Sequence, residues 1–226
     1  MLHLNLPRRF LVALPLMFAL GGCGTTVYLD KFNGGPIGQP PPPADTGTSS
    51  STTNVSVAAN PQNAGSADRF LRIARTSPTE GGGIYTATFT QNITQKKGSI
   101  DFVGFIPSQS RIMMTVFFES SPQGIPLMHI DLLPNGNIRL NDSSIIGTYK
   151  FDTIVGFFIT LDLSTSSPTA NILIRGGAND ASLTTPLPPN SNTRGFGRVR
   201  IIAPFEGVNA PNGAFLVNDI IATTPN

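Results

Sequence analysis

The stretch IVGFFITLDL, residues 154–163, carries the fold reading. Val155, Phe157, Ile159, Leu161 and Leu163 fall at every second position and are all apolar, while Thr160 and Asp162 stand between them. Alternate side chains of an extended chain point to opposite faces, so a period of two marks a strand with one face in a core. The pattern returns along the chain. In residues 84–91, Tyr85, Ala87 and Phe89 alternate with Thr86, Thr88 and Thr90. In residues 111–119, Ile112, Met114, Val116 and Phe118 share a face, and residues 169–175, 196–205 and 214–222 continue the series. Pro134-Asn135-Gly136-Asn137 stands between residues 127–133 and 138–140, and Asn-Gly is the strongest short hairpin signal. Pro211-Asn212-Gly213 precedes the last strand. No window of helical length shows an apolar period of 3.6 residues. The fold class is all-β, antiparallel.

The N-terminus reads differently. Arg8 and Arg9 precede an uncharged, largely apolar run at residues 10–22. A membrane-spanning helix needs about 20 such residues. This run is shorter, contains Pro15, and has the length of the apolar region of an export signal. It ends in Leu20-Gly21-Gly22-Cys23, which resembles the lipobox of bacterial lipoproteins. That resemblance implies a signal peptide over residues 1–22, cleavage before Cys23, and fatty acylation of its thiol. Residues 23–26 would then be the lipidated N-terminus. Among such lipoproteins an Asp after the cysteine favours the inner membrane, so Gly24 points to the outer one. The alternative is an ordinary secretory signal followed by a free thiol. A lone exported cysteine calls for an explanation, and acylation supplies one. One acyl chain anchors marginally and two or more firmly.

Composition bounds the rest. Removing residues 1–22 leaves 13 of the 15 Lys and Arg against 13 Asp and Glu, so the mature chain is formally neutral. A nucleic-acid partner would call for clustered positive charge. The densest basic spots, Lys96-Lys97 and Arg198-Val199-Arg200, read as solvated strand ends. With its one cysteine committed to lipid, the domain has no disulfide and depends on packing. The 204 mature residues suffice for a single β-sandwich, expected over residues 27–226. It contains a Pro/Ser/Thr-rich loop at about residues 34–67, with a short strand expected inside it around residues 54–58.

Four segments point to a fold family. They are Asp30-Lys31-Phe32, Asp68-Arg69-Phe70-Leu71-Arg72-Ile73, Ile159-Thr160-Leu161-Asp162-Leu163-Ser164 with Gly176-Gly177 beyond it, and Phe215-Leu216-Val217-Asn218-Asp219-Ile220. Together they resemble the concanavalin A-like jelly-roll domains. The resemblance implies a two-sheet sandwich closed by pairing of the first and last strands, and carbohydrate binding as its commonest non-enzymatic use.

Catalytic motifs are sparse. Retaining glycosidases of this fold use closely spaced carboxylates, and the glutamates Glu80, Glu119 and Glu206 are far apart in sequence. Jelly-roll polysaccharide lyases use a His and a Tyr, for which His129 and Tyr149 are the candidates, although the other lyase motifs are missing. No cofactor motif is present, and one mature histidine makes zinc implausible. Asp131, Asn135, Asn137 and Asp142 offer oxygens for calcium, but their spacing misses the 12-residue loop and they read as turn residues. Without Trp, and with 15 Phe mostly on apolar faces, the chain has few evident sugar-stacking rings. The expectation is a membrane-anchored, non-catalytic binding or structural module. Its partners would be membrane lipid through acylated Cys23 and a glycan or an envelope protein. The competing expectation is a glycan-degrading, lyase-like enzyme, and the blandest is a scaffold.

Overall fold

The computed structural model describes residues 25–41, 49–50, 55–76, 83–89, 96–121, 125–193, 195–204 and 212–225. Residues 1–24, and with them Cys23 and Gly24, lie outside the described residues, as do Glu80 and Glu206. Within the described part, strands form two antiparallel sheets. Sheet A contains β1 (Thr25–Asp30), β3 (Val55–Ala59), β4 (Arg69–Arg75), β6 (Lys97–Phe105), β11 (Ile154–Asp162), β12 (Thr169–Arg175), β13 (Ala181–Pro186) and β15 (Gly213–Thr224). Its order is β13-β12-β11-β6-β15-β4-β3, with β1 also on β15. Sheet B contains β2 (Ser49–Ser50), β5 (Ile84–Thr88), β7 (Met114–Ser121), β8 (Pro126–Leu132), β9 (Asn137–Leu140), β10 (Ser144–Thr148) and β14 (Gly195–Ile202), in the order β10-β9-β8-β7-β14-β5-β2.

The apolar faces read from the sequence meet between the sheets. Val155, Phe157, Ile159 and Leu161 of β11 are buried, as are Met114, Val116 and Phe118 of β7. Phe102 stacks on Phe157 at 4.7 Å and reaches Phe118 across the sandwich at 6.3 Å. The Asn-Gly turn forms with Gly136 at φ 88°, a conformation a side chain resists. The loop around residues 34–67 contributes β3, whose Val55 and Val57 are fully inside.

Two features were not evident from alternation. The central strand β6 reads KGSIDFVGF, with two glycines and a carboxylate among its nine residues. At Gly98 a Cβ would stand 2.2 Å from the Phe196 ring, so the glycine makes room for an aromatic of the facing sheet. β15 hides a change of face: Phe215 and Val217 point inward, and so do Ile220 and Ala222. A one-residue slip would turn an apolar set outward. A bulge absorbs it here, with Asp219 at φ 53° and a register break between Asn218 and Ile221 against β6.

β1 starts at Thr25, two residues before the sandwich expected from residue 27, because Thr25 and Thr26 pair with Thr224 and Thr223. Its Asp30 ties the sheets together. The carboxylate accepts the Phe32 amide at 3.0 Å and the Tyr85 hydroxyl of β5 at 2.6 Å, and the Tyr85 and Tyr28 hydroxyls are 2.6 Å apart. Burial, then the Tyr28 and Asp30 oxygens, push the Tyr85 phenol well above its usual range, so it stays a donor.

On the outer face of sheet A, Asp101 stands directly opposite Phe158 on one side and Ile221 on the other. Burial among them pushes its carboxyl up from 3.8 to about 6. A folded-state pKa above the unfolded value favours the fold in acid, and that contribution fades as the pH rises from about 4 to about 6. Asp101→Asn is therefore expected to flatten the fall in urea-denaturation stability over that interval. At pH 7 it should stabilise by roughly 1 kcal/mol, since partial exposure screens the full effect.

Candidate functional site

Cross-strand register assembles the site on the outer face of sheet B. His129 of β8 stands opposite Phe117 of β7, and Phe117 opposite Arg200 of β14. Strands pair about 4.8 Å apart, so these three planar groups form one continuous row. The His129 and Phe117 rings are 5.2 Å apart, and the Arg200 guanidinium lies 4.8 Å over the Phe117 ring, a cation–π contact.

Ion pairs frame the row on both sides. In one neighbouring row Asp131 lies between Thr115 and Arg139. Its Oδ1 accepts the Thr115 hydroxyl at 2.6 Å, and its Oδ2 accepts Nε and Nη2 of Arg139 at 3.0 and 2.8 Å. In the other row the buried Glu119 receives Arg198, which is directly opposite, and Nη2 of Arg200 at 2.9 Å. Arg198-Val199-Arg200 is thus no solvated strand end. Val199 faces the core while both arginines neutralise one buried carboxylate, a pairing that keeps a charge inside at tolerable cost.

A tight turn completes the cluster. Asn141 and Asp142 adopt φ of 49° and 59°, which Asn and Asp tolerate best among residues with side chains. The Asn141 side-chain oxygen accepts the His129 amide at 2.9 Å, and Asp142 Oδ2 comes within 3.3 Å of His129 Nε2. His129, Asp131 and Asp142 thereby bring three ligand-type atoms within 4.8 Å of one another. Arg139 lies 2.8 Å from Asp131 and 3.2 Å from Asp142, so the chain's own guanidinium serves as the cation between these carboxylates. Asn135 accepts the Asn137 amide at 3.1 Å and acts as a turn residue.

His129 and Tyr149 do not converge. His129 lies on the outer face, whereas Tyr149 is buried in the core and its hydroxyl donates to the Leu133 carbonyl. Glu119, far from the other glutamates in sequence, is held by its two arginines.

A concavity opens on the outer face of sheet A at the β15 bulge. It is a shallow cleft of about 270 Å³ lined by Lys31, Asn60, Asp68, Asn218 and Asp219 among others. Burial pushes the Asp219 carboxyl up, Lys31 opposes that and Asp68 adds to it. The two carboxylates and one ammonium leave it with no concentrated charge of either sign.

No protein-family model matches the chain, and no curated protein matches it by sequence. Solved structures do match. Lectin II from Ulex europaeus has a TM-score of 0.54 at 10% identity, over 89% of this chain and 100% of that one. The fold is a lectin-like jelly-roll sandwich. The CBM2 module of the evolved Dit of Lactobacillus casei BL23 phage J-1 gives 0.54 at 11% identity, over 90% and 97% of the two chains. A GH131 β-glucanase catalytic domain from Podospora anserina gives 0.52 at 12%, again over 90% and 97%. The pairing of β1 with β15 agrees with the closure that the concanavalin A-like resemblance implies.

The Asp131–Arg139 pair yields a test by double-mutant cycle. Arg139→Met strands a buried carboxylate and is expected to cost about 2–3 kcal/mol in urea denaturation, somewhat below fully buried pairs because Arg139 is partly exposed. Adding Asp131→Leu should recover most of that loss.

Proposed function

We propose that the chain is an envelope lipoprotein, acylated at Cys23 and held on the outer membrane, whose sheet B binds a glycan without transforming it. The lipobox-like Leu20-Gly21-Gly22-Cys23 and the Gly24 after it support the address. The row His129–Phe117–Arg200 carries the binding reading. Sugars present a C–H face and a rim of hydroxyls. A flat ring meets the first, and the paired donors and acceptors around it meet the second. Three guanidiniums, Arg139, Arg198 and Arg200, stand against three carboxylates, Glu119, Asp131 and Asp142, so the surface is polar without a net field. That balance suits a polyhydroxyl ligand better than nucleic acid, which selects for unbalanced positive charge.

Binding without chemistry agrees with how the side chains are used. The Tyr149 hydroxyl is committed to Leu133, and the Glu119 carboxylate to two arginines. Sandwiches of this fold include lectins, one of them complexed with galactose. The scaffold is compatible with a sugar surface, and the assignment rests on the side chains because fold alone does not fix function.

Glycan-array screening followed by calorimetry tests the proposal. Phe117→Ala, checked for folding by circular dichroism, is expected to weaken binding of the selected glycan by about tenfold, while Phe158→Ala on the opposite sheet leaves it unchanged. An array with no binder, or a binder indifferent to Phe117→Ala, refutes it.

A further inference from the structure

The outer face of sheet A has a different chemistry from that of sheet B. Cross-strand register across β12, β11, β6, β15 and β1 places Leu173, Phe158, Asp101, Ile221 and Leu29 in one row. The adjacent row, nearer the start of β1, is Asn171, Thr160, Ser99, Thr223 and Thr26. Of these ten residues only Asp101 is ionisable. Leu29 and Phe158 are 56% and 43% exposed, high for large apolar side chains. The hydroxyl row is joined within itself by Ser99 and Thr223 at 2.7 Å. Charged groups on this side stand beyond these two rows: Lys97 is paired with Asp162 at 3.0 Å and Arg175 with Asp180 at 2.5 Å, Arg72 lies opposite Leu216, and Lys31, Asp68 and Asp219 surround the cleft.

The start of β1 lies close to this face in sequence. Thr25 already pairs with Thr224, and only Gly24 separates it from Cys23. Two residues span at most about 7 Å, so a lipid carried by Cys23 would keep the edge of the hydroxyl row within about that distance of its attachment. A spacer of tens of residues would let the domain float, and this one does not. Resting on the acylation of Cys23 proposed above, we infer that the outer face of sheet A lies against the lipid bilayer. Leu29, Ile221 and Phe158 enter the boundary between headgroups and acyl chains, and the hydroxyl row meets the headgroups.

Interfacial binding scales with the apolar area placed in that boundary. The short tether keeps this area at the surface whenever the anchor is inserted, a high effective concentration for the second contact. A second copy of the chain is the competing occupant. It would have to slide under a domain already held within about 7 Å of the lipid. The consequence is orientation: the ionic face of sheet B is turned away from the membrane.

The chain has no Trp, so a single substitution gives a clean fluorophore. The acylated full-length product of Phe158→Trp, and separately of Leu29→Trp, is reconstituted into phosphatidylethanolamine/phosphatidylglycerol vesicles with and without brominated acyl chains. Ile145→Trp in β10, an exposed position of sheet B, is the control. The expected result is co-flotation of all three. Emission should be blue-shifted, and bromine quenching several-fold stronger, for the two sheet A indoles than for the control. Co-flotation with equally weak quenching at all three positions overturns the docking and leaves the anchor standing. A blue shift without bromine quenching overturns it in favour of a second copy. Failure to co-float overturns the anchor and the docking with it. Two reporters on different strands guard against one misfolded variant.

Discussion

Sheet A depends on the register of its last strand. β15 pairs with β6 along one edge, while its other edge is divided between β4, along residues 213–217, and β1, along residues 220–224. The bulge at Asp219 separates these halves and resets which parity of residue faces the core. Without it, Ile220 and Ala222 would turn outward and β1 would lose its partners. A domain lacking a disulfide within the sandwich has only such packing to close the ends of its chain. Because β1 begins two residues after Cys23, the same pairing fixes where the proposed acylation site joins the fold.

The Asp30 cluster reinforces this closure from the side. It belongs to sheet A through β1 and receives the Tyr85 hydroxyl from sheet B. An unpaired buried phenol or carboxylate would cost about 1–3 kcal/mol. Separating the sheets at this edge exposes that cost, so the Asp-x-Phe segment reads as a clamp as well as a fold signature. Phe32, at φ 56°, is held there by the Asp30 carboxylate and by edge contact with the Tyr85 ring.

Strands with an unbroken apolar face were legible in the sequence. β11 and β12 match the alternation almost residue for residue, and the Asn-Gly turn stands where its chemistry places it. β6 was not legible, although it is central, because Gly98 serves the Phe196 ring and Asp101 stands among apolar neighbours on the outer face. β13 is an edge strand of exposed and half-exposed residues, so burial imposes no pattern on it. The candidate site was legible only in part. His129 stood out by type, but its neighbours Phe117 and Arg200 are 12 and 71 positions away, and register alone brings them together. Arg198 and Arg200 looked solvated because their partner, Glu119, belongs to another strand.

In the proposed reading the two outer faces divide the labour. One carries paired ions and planar groups suited to a polyhydroxyl ligand, and the other is apolar and hydroxylated on the side from which Cys23, the proposed acylation site, enters β1. Intact-mass spectrometry of the product extracted from membranes tests the premise most directly. A chain beginning at Cys23 and carrying the mass of a diacylglyceryl group, with or without a further acyl chain, is the expected result. A mature chain with an unmodified thiol, or one beginning elsewhere, would contradict it and leave the outer face of sheet A open to water.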